Sequence, residues 1–167
     1  MRVKLDQDMM IETTGYEIMI HFDGSCNPNP GGLGSYGFHI EKLDDVGWVG
    51  CDKIGRNPGM TNNVAEWSGL RAALKSILAN RGTENELGGD KLLIFGDSQI
   101  VIRQLTGKWK VKAQHLQTFK NDCLKLLTAI GLPWEAKWVR RNLNARADAL
   151  AEQARQGYMS RPAIIGT

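Results

Sequence analysis

Four apolar residues in unbroken succession, Leu92-Leu93-Ile94-Phe95, run straight into Gly96-Asp97-Ser98. A strand covered on one face alternates apolar with polar residues; one that is apolar throughout must be covered on both. The chain must therefore supply helices for two layers, and helical spacing appears where it is needed. Val64, Trp67, Leu70, Leu74, Ile77 and Leu78 recur as on one helix over 63–80, with Gly82 as a stop. Asn63, followed three residues later by Glu66, reads as a capping box with Asn in the capping position. Ser98 can cap a short helix over 99–105. A further helix over 113–129 puts Leu116, Phe119, Cys123, Leu126 and Leu127 on its apolar side, and an alanine-rich helix runs from about Asn144 to Gln156.

The remaining strands are also legible. Residues 16–23 alternate, with Tyr16, Ile18, Ile20 and Phe22 on one side and Glu17, Met19, His21 and Asp23 on the other. The Gly/Pro/Asn loop GSCNPNPGGLG follows. Two more strands over 35–42 and 47–56 flank a turn at Asp44-Asp45, and Pro133 opens a fifth, WEAKWV. Three antiparallel strands and then strands joined by helical crossovers predict an α/β fold, a mixed five-stranded sheet flanked by helices.

The 167 residues suit one domain. Residues 1–15 and 157–167 lack clear periodicity and read as a flexible N-terminal extension and a C-terminal tail around a folded unit at 16–156. No run approaches the ~18 apolar residues of a membrane helix, and the N-terminus lacks the apolar stretch of a signal peptide, so a cytoplasmic protein without membrane partners is expected. Cys26, Cys51 and Cys123 are too widely spaced for a zinc motif and fit reduced thiols. The net charge of +3 is uneven: residues 1–90 carry −5 and residues 91–167 carry +8. A basic C-terminal half fits a polyanionic partner.

Four carboxylates stand where they can converge. Asp23 and Asp97 each end a strand, and if those strands are parallel neighbours both emerge at the carboxyl edge, where open α/β sheets place their sites. Glu66, in the first turn of its helix, lies about 70° from the centre of the apolar face, at the border of core and solvent. Asp148 lies beside the small-residue face of Ala147, Ala151 and Ala154, with Asn144 one turn earlier. Taken singly, an Asp after a strand is a turn or cap residue and a Glu near a helix start a dipole partner. Four on one edge would repel and raise one another's pKa unless a cation sat among them. Oxygen ligands without His or Cys select Mg²⁺ or Mn²⁺ over zinc.

The segments FDGSCNPNPGG at 22–32, TNNVAEW at 61–67, FGDSQIVI at 95–102 and NARADALA at 144–151 resemble, in order and spacing, ribonuclease H of type 1. The resemblance spans about residues 16–156. It implies a ribonuclease H-like fold and an Asp-Glu-Asp-Asp site on Asp23, Glu66, Asp97 and Asp148, holding two Mg²⁺ ions, with Mn²⁺ as a possible substitute. It implies hydrolysis of the RNA strand of an RNA–DNA hybrid, leaving 5′-phosphate and 3′-hydroxyl ends. It also implies readers of RNA 2′-hydroxyls at Gly24, Ser25, Cys26, Asn27, Asn62, Asn63 and Gln99. Short amides suit that task, because a 2′-hydroxyl both donates and accepts.

The stretch TGKWKVKAQHL alternates Lys with an aromatic, so Lys108, Trp109 and Lys110 can meet phosphates and a sugar or base. Some family members carry a longer basic helix here. With only this short loop and fifteen preceding residues, binding is expected to be modest and salt-sensitive, by a monomer. Many members also have a His in the loop before the last acid. Here the loop reads VRRNLNARAD, and Arg140 or Arg141 is left to approach the phosphate, joined by Asn144 as a substrate contact; an Arg cannot shuttle protons. His21, His39 and His115 read as ordinary strand or loop residues. The rival readings are a non-catalytic module of the same fold that binds hybrid or duplex RNA, a related DNA nuclease, and a two-lobed phosphotransferase for which the chain has room for only one lobe.

Overall fold

The computed structural model describes residues 2–6, 9–12, 17–42, 47–157 and 160–165. The expected turn at Asp44-Asp45 lies outside them, as does Tyr16. Strands β1 (Arg2–Asp6) and β2 (Met9–Glu12) pair with each other in a separate antiparallel sheet. The main elements follow: β3 (Glu17–Asn27), β4 (Leu33–Lys42), β5 (Gly47–Arg56), α1 (Asn62–Asn80), β6 (Lys91–Gly96), α2 (Gln99–Leu105), α3 (Gln114–Ile130), β7 (Trp134–Trp138), a 3-10 turn at Arg141–Asn144, α4 (Ala145–Arg155) and β8 (Ser160–Ile165).

The main sheet has the order β7-β6-β3-β4-β5-β8. β3, β4 and β5 form the antiparallel meander, and β6 and β7 add in parallel to β3. These are the five strands expected from the sequence. The sixth, β8, pairs antiparallel with β5, in the tail whose sequence shows no clear periodicity. A strand of six residues offers only three alternations, too few to stand out without knowing its partner.

Both faces of the apolar β6 run are covered, as its composition demands. Leu92 and Ile94 join the larger core beneath α1 and α3, with Ile18, Ile20, Phe22, Trp67 and Leu74. Leu93 and Phe95 join Met19 and Val139 on the opposite face. That second face is where α4 lies. Ala147, Ala151 and Ala154 are fully buried, and a Cβ on Gly37 would stand 2.5 Å from the Ala151 nitrogen and 2.6 Å from the Ala147 carbonyl. Helix and strand can approach this closely only because both facing surfaces are nearly bare backbone. The Ser35 hydroxyl fixes the depth by donating to the Ala151 carbonyl at 2.7 Å.

His21 and His39 face each other across β3 and β4 on this same side, their rings stacked 4.5 Å apart. Burial pushes the His21 imidazole down to about 4 and the His39 imidazole down to about 3, the latter helped by His21 and by Arg146. Both rings are therefore neutral near pH 7.

Candidate active site

The parallel pairing of β3 with β6 runs from Glu17 opposite Lys91 to Phe22 opposite Gly96. The next residues, Asp23 and Asp97, leave that pairing side by side. β3 itself does not end there. It continues to Asn27 against β4 alone, so Asp23 is an internal strand residue at the point where its parallel neighbour stops. The composition of 24–27 hides this extension, since glycine and asparagine read as turn. Asp97 is anchored by its backbone: the Trp138 indole donates to its carbonyl at 2.9 Å. Ser98 caps α2 by accepting from the Val101 amide, as expected.

α1 brings the third carboxylate. Its cap is Thr61, whose hydroxyl accepts from the Val64 amide at 3.2 Å, and the helix already includes Asn62 and Asn63. The capping box expected from Asn63 and Glu66 does not form. A hydroxyl two residues earlier satisfies the first turn and frees Glu66 to point elsewhere. The first turn then presses on β3 so tightly that a Cβ on Gly24 would fall 2.1 Å from the Glu66 nitrogen. Gly24 thus lets Glu66 drop over the sheet edge beside Asp23. Glu66 is only 7% exposed, deeper than the border position expected, and its Oε2 has no hydrogen-bond partner.

α4 brings the fourth. Gly37, where α4 lies closest, is the register partner of Asp23, so Asp148, the residue after Ala147, stands over the same edge. One carboxylate oxygen from each of Asp23, Glu66 and Asp97 falls within 4.8 Å of the others. Asp148 lines the same cleft of about 320 Å³, with Gly24, Ser25, Asn62, Arg141 and Glu152.

The electrostatics are those of acids crowded without a compensating charge at their centre. Burial pushes the Asp23 carboxyl up to about 7, with Asp97 and Asp148 adding to the rise against hydrogen bonds from Glu66 and from the Gly24 amide, 2.9 Å away. Burial raises Glu66 further above the ordinary range, and Asp23 and Asp97 add to it. Asp97 is raised chiefly by burial; Arg141 and the Asn144 amide pull it back, while Asp148 pushes it up. Among the described residues Arg141 is the one cation lining the cleft, 3.4 Å from Asp148. Acidic oxygens, one of them orphaned in a buried position, with no imidazole or thiolate among them, form a donor set that fits a hard divalent cation.

The other expected contacts divide into three groups. Gly24, Ser25, Asn62 and Arg141 line the cleft. Asn27, Gln99, Lys108, Trp109 and Lys110 are exposed, and Asn63 on the first turn of α1 is half-buried. Cys26 and Asn144 turn inward. The Cys26 thiol points to the carbonyls of Pro28 and Met60, and its amide donates to the Asn62 side chain at 2.9 Å. Asn144 is 1% exposed, and its amide donates to the Phe22 carbonyl at 2.8 Å. Its spacing suggests a surface position one turn before Asp148. It instead pins the start of α4 to β3, because it ends the 3-10 turn.

Two features are not evident from the sequence reading. Glu152, one turn after Asp148, enters the cleft, and its i,i+4 spacing is a usable signal. A second groove of about 240 Å³ joins Arg103, Thr106 and Lys108 to Lys137 and Trp138. No local pattern links α2 to β7, so only the fold reveals it. Arg103 lies over the Trp109 ring at 5.1 Å, holding a side chain that is 44% exposed.

A mixed sheet of this strand order, with carboxylates gathered where the central parallel pair opens, defines the ribonuclease H-like class of fold. The sequence model of the family described as "Reverse transcriptase-like" matches residues 21–154. A curated relative, "Ribonuclease HI" of Halobacterium salinarum, is 34% identical over 151 residues, covering 84% of this chain; the chain spans only 65% of that relative's length. The crystal structure of RNase H1 from the same halophilic archaeon is 35% identical, with a TM-score of 0.72 over 85% of this chain and 99% of that one. LC11-RNase H1, solved in complex with an RNA/DNA hybrid, is 26% identical, with a TM-score of 0.73 over 83% and 96% of the two chains. The chain belongs to the ribonuclease H family, type 1.

Proposed function

We propose that this chain is an endoribonuclease that hydrolyses the RNA strand of RNA–DNA hybrids and leaves 5′-phosphate and 3′-hydroxyl ends. The single observation that carries the reading is the convergence of Asp23, Glu66, Asp97 and Asp148 on one cleft. The LC11 relative's complex with a hybrid supports the choice of substrate. Residues 16–156 are the proposed catalytic unit, acting as a cytoplasmic monomer.

Asp23, Glu66, Asp97 and Asp148 would together hold two divalent ions, Mg²⁺ or Mn²⁺. When bound, such ions lower the pKa of water and neutralise charge on a phosphodiester. The chain's own groups do the rest. Gly24 and Ser25 offer backbone groups at the cleft, and the Asn62 side chain lines it while its oxygen is held by the Cys26 amide. These groups, with Asn63, Asn27 and Gln99, are the proposed readers of RNA 2′-hydroxyls, a role that would exclude duplex DNA. Arg141 sits across from the acids as a fixed positive charge for the scissile phosphate. It stays protonated throughout, so it orients and neutralises but carries no proton.

The test is cleavage of labelled hybrid, duplex RNA and duplex DNA in Mg²⁺, Mn²⁺ or chelator. Hybrid cleavage that needs a divalent ion and is abolished in Asp23→Asn and Asp97→Asn, both still folded, is the expected result. Tight hybrid binding without cleavage by the unaltered chain would replace the reading with that of a binding module. Equal cleavage of duplex DNA would make it a DNA nuclease.

A further inference from the structure

Among the described residues a second group of three ligand-type side chains lies close enough to share an ion: His21, His39 and Glu41, each offering one atom within 4.8 Å of the other two. We propose that these three form a separate site for a zinc-class transition-metal ion that clamps β3 to β4 beneath the carboxylate cleft.

The backbone builds the arrangement. His39 and Glu41 are two apart on β4 and share a face, while His21 is the direct register partner of His39 on β3. Side chains at i, i+2 and the cross-strand position of i form a triangle on a pleated surface, with cross-strand Cβ atoms about 5 Å apart. The two imidazoles stack with their planes 5° apart. His–zinc bonds run about 2.0–2.1 Å, so closure requires each ring to turn about its terminal dihedral, which is a soft torsion.

A second observation points to a ligand. His21 and His39 are 6% and 8% exposed, and the Nδ1 atoms of both are buried with no hydrogen-bond partner. Buried ring nitrogens are otherwise paired as a rule. An ion would satisfy one nitrogen on each ring, Glu41 would supply the negative charge, and water would complete a tetrahedral set of two His and one carboxylate. Arg146 faces His39 and opposes the ion's charge, so the single carboxylate is required for affinity. Imidazole distinguishes this site from the all-oxygen cleft: nitrogen donors favour zinc, cobalt or nickel, and oxygen donors favour magnesium.

The experiment uses the full chain, stripped of metal and held in excess Mg²⁺ to occupy the carboxylates. Zn²⁺ is titrated in competition with a chromophoric chelator, and Co²⁺ serves as an absorbing probe. The unaltered chain and Asp97→Asn are expected to bind one Zn²⁺ each, with a Co²⁺ visible band typical of a four-coordinate nitrogen-containing site. His39→Gln and Glu41→Gln should each weaken binding by roughly tenfold or more. Should His39→Gln fail to fold, the half-buried Glu41→Gln decides alone. Absence of Zn²⁺ binding above the Mg²⁺ background, or binding lost in Asp97→Asn and kept in the other two, would overturn the site.

Discussion

Asp23 carries the clearest conflict in the molecule, a buried carboxyl beside Glu66, Asp97 and Asp148, raised to about 7. An unfolded Asp titrates near 3.9. Between those values the folded chain holds a proton that the unfolded chain has released, so this group favours folding at low pH and the benefit disappears as pH rises through about 7. His21 and His39, pushed below their ordinary 6.5 by burial, make stability rise with pH up to about 6.5. In chelator Asp23 sets against this a falling slope in thermal unfolding, worth about 3 kcal/mol between pH 5 and pH 8. Asp23→Asn should flatten that slope, and Mg²⁺ should shrink it in the unaltered chain by favouring the ionised form. A slope identical in Asp23→Asn would show that Asp23 does not hold the proton. Which acids meet is legible from the sequence, because Asp23, Asp97, Glu66 and Asp148 each stand in a recognisable motif. How deeply they lie is not, because Glu66's burial depends on Gly24 having no Cβ. Asn144 shows the same limit from the other direction. Its place before an alanine-rich helix is plain, but its 2.8 Å bond to Phe22 joins residues 122 positions apart. Asn144→Ala should cost about 1–3 kcal/mol by leaving a buried carbonyl unpaired. Denaturant unfolding measures this, and a loss of activity at unchanged stability would instead return Asn144 to the substrate surface.

At the scale of elements, α1 and α4 do the positioning, each through a glycine on the strand beneath it. The apolar spacing of α1 predicts the helix, but not which residue caps it. Asn63 and Thr61 are both capping types; only the hydrogen bond of Thr61 to Val64 separates them. Thr61→Ala should accordingly lower stability by about 1 kcal/mol, while Asn63→Ala, already inside the helix, should change it little and act on hybrid selectivity. Equal destabilisation by both, in urea melts followed by circular dichroism, would restore the capping box. The approach of α4 to Gly37 makes a sharper demand. In Gly37→Val the added side chain meets the backbone of Ala147 and Ala151 at less than van der Waals distance, so α4 must lift and carry Asp148 off the edge. Strands β6 and β7 are legible because an apolar run and a proline boundary are local signals. β8 is not, because its partner β5 is about a hundred residues away.

Across the whole molecule the charges are sorted by partner. The acidic first half supplies two of the four site acids, and the basic second half supplies Arg103, Lys108, Lys110 and Lys137, all away from the cleft. The second groove meets the cleft at Trp138, which lines the groove and donates to the Asp97 carbonyl. A nucleic acid lying along both would put one strand's phosphates on the basic groove while the other reaches the carboxylates. Counterion release makes this measurable: every phosphate that a variant no longer neutralises reduces the slope of log affinity against log salt by about one. In an Asp97→Asn background, which binds without cutting, Lys108→Ala with Lys110→Ala should lower that slope by about two and weaken hybrids of every sequence alike. In the background with Asp97 intact, the double variant at saturating hybrid should keep its turnover, since neither lysine lines the carboxylate cleft. A slope unchanged within error by fluorescence anisotropy would mean that these lysines are only a solvated loop, and that the path of the hybrid lies elsewhere on the basic half.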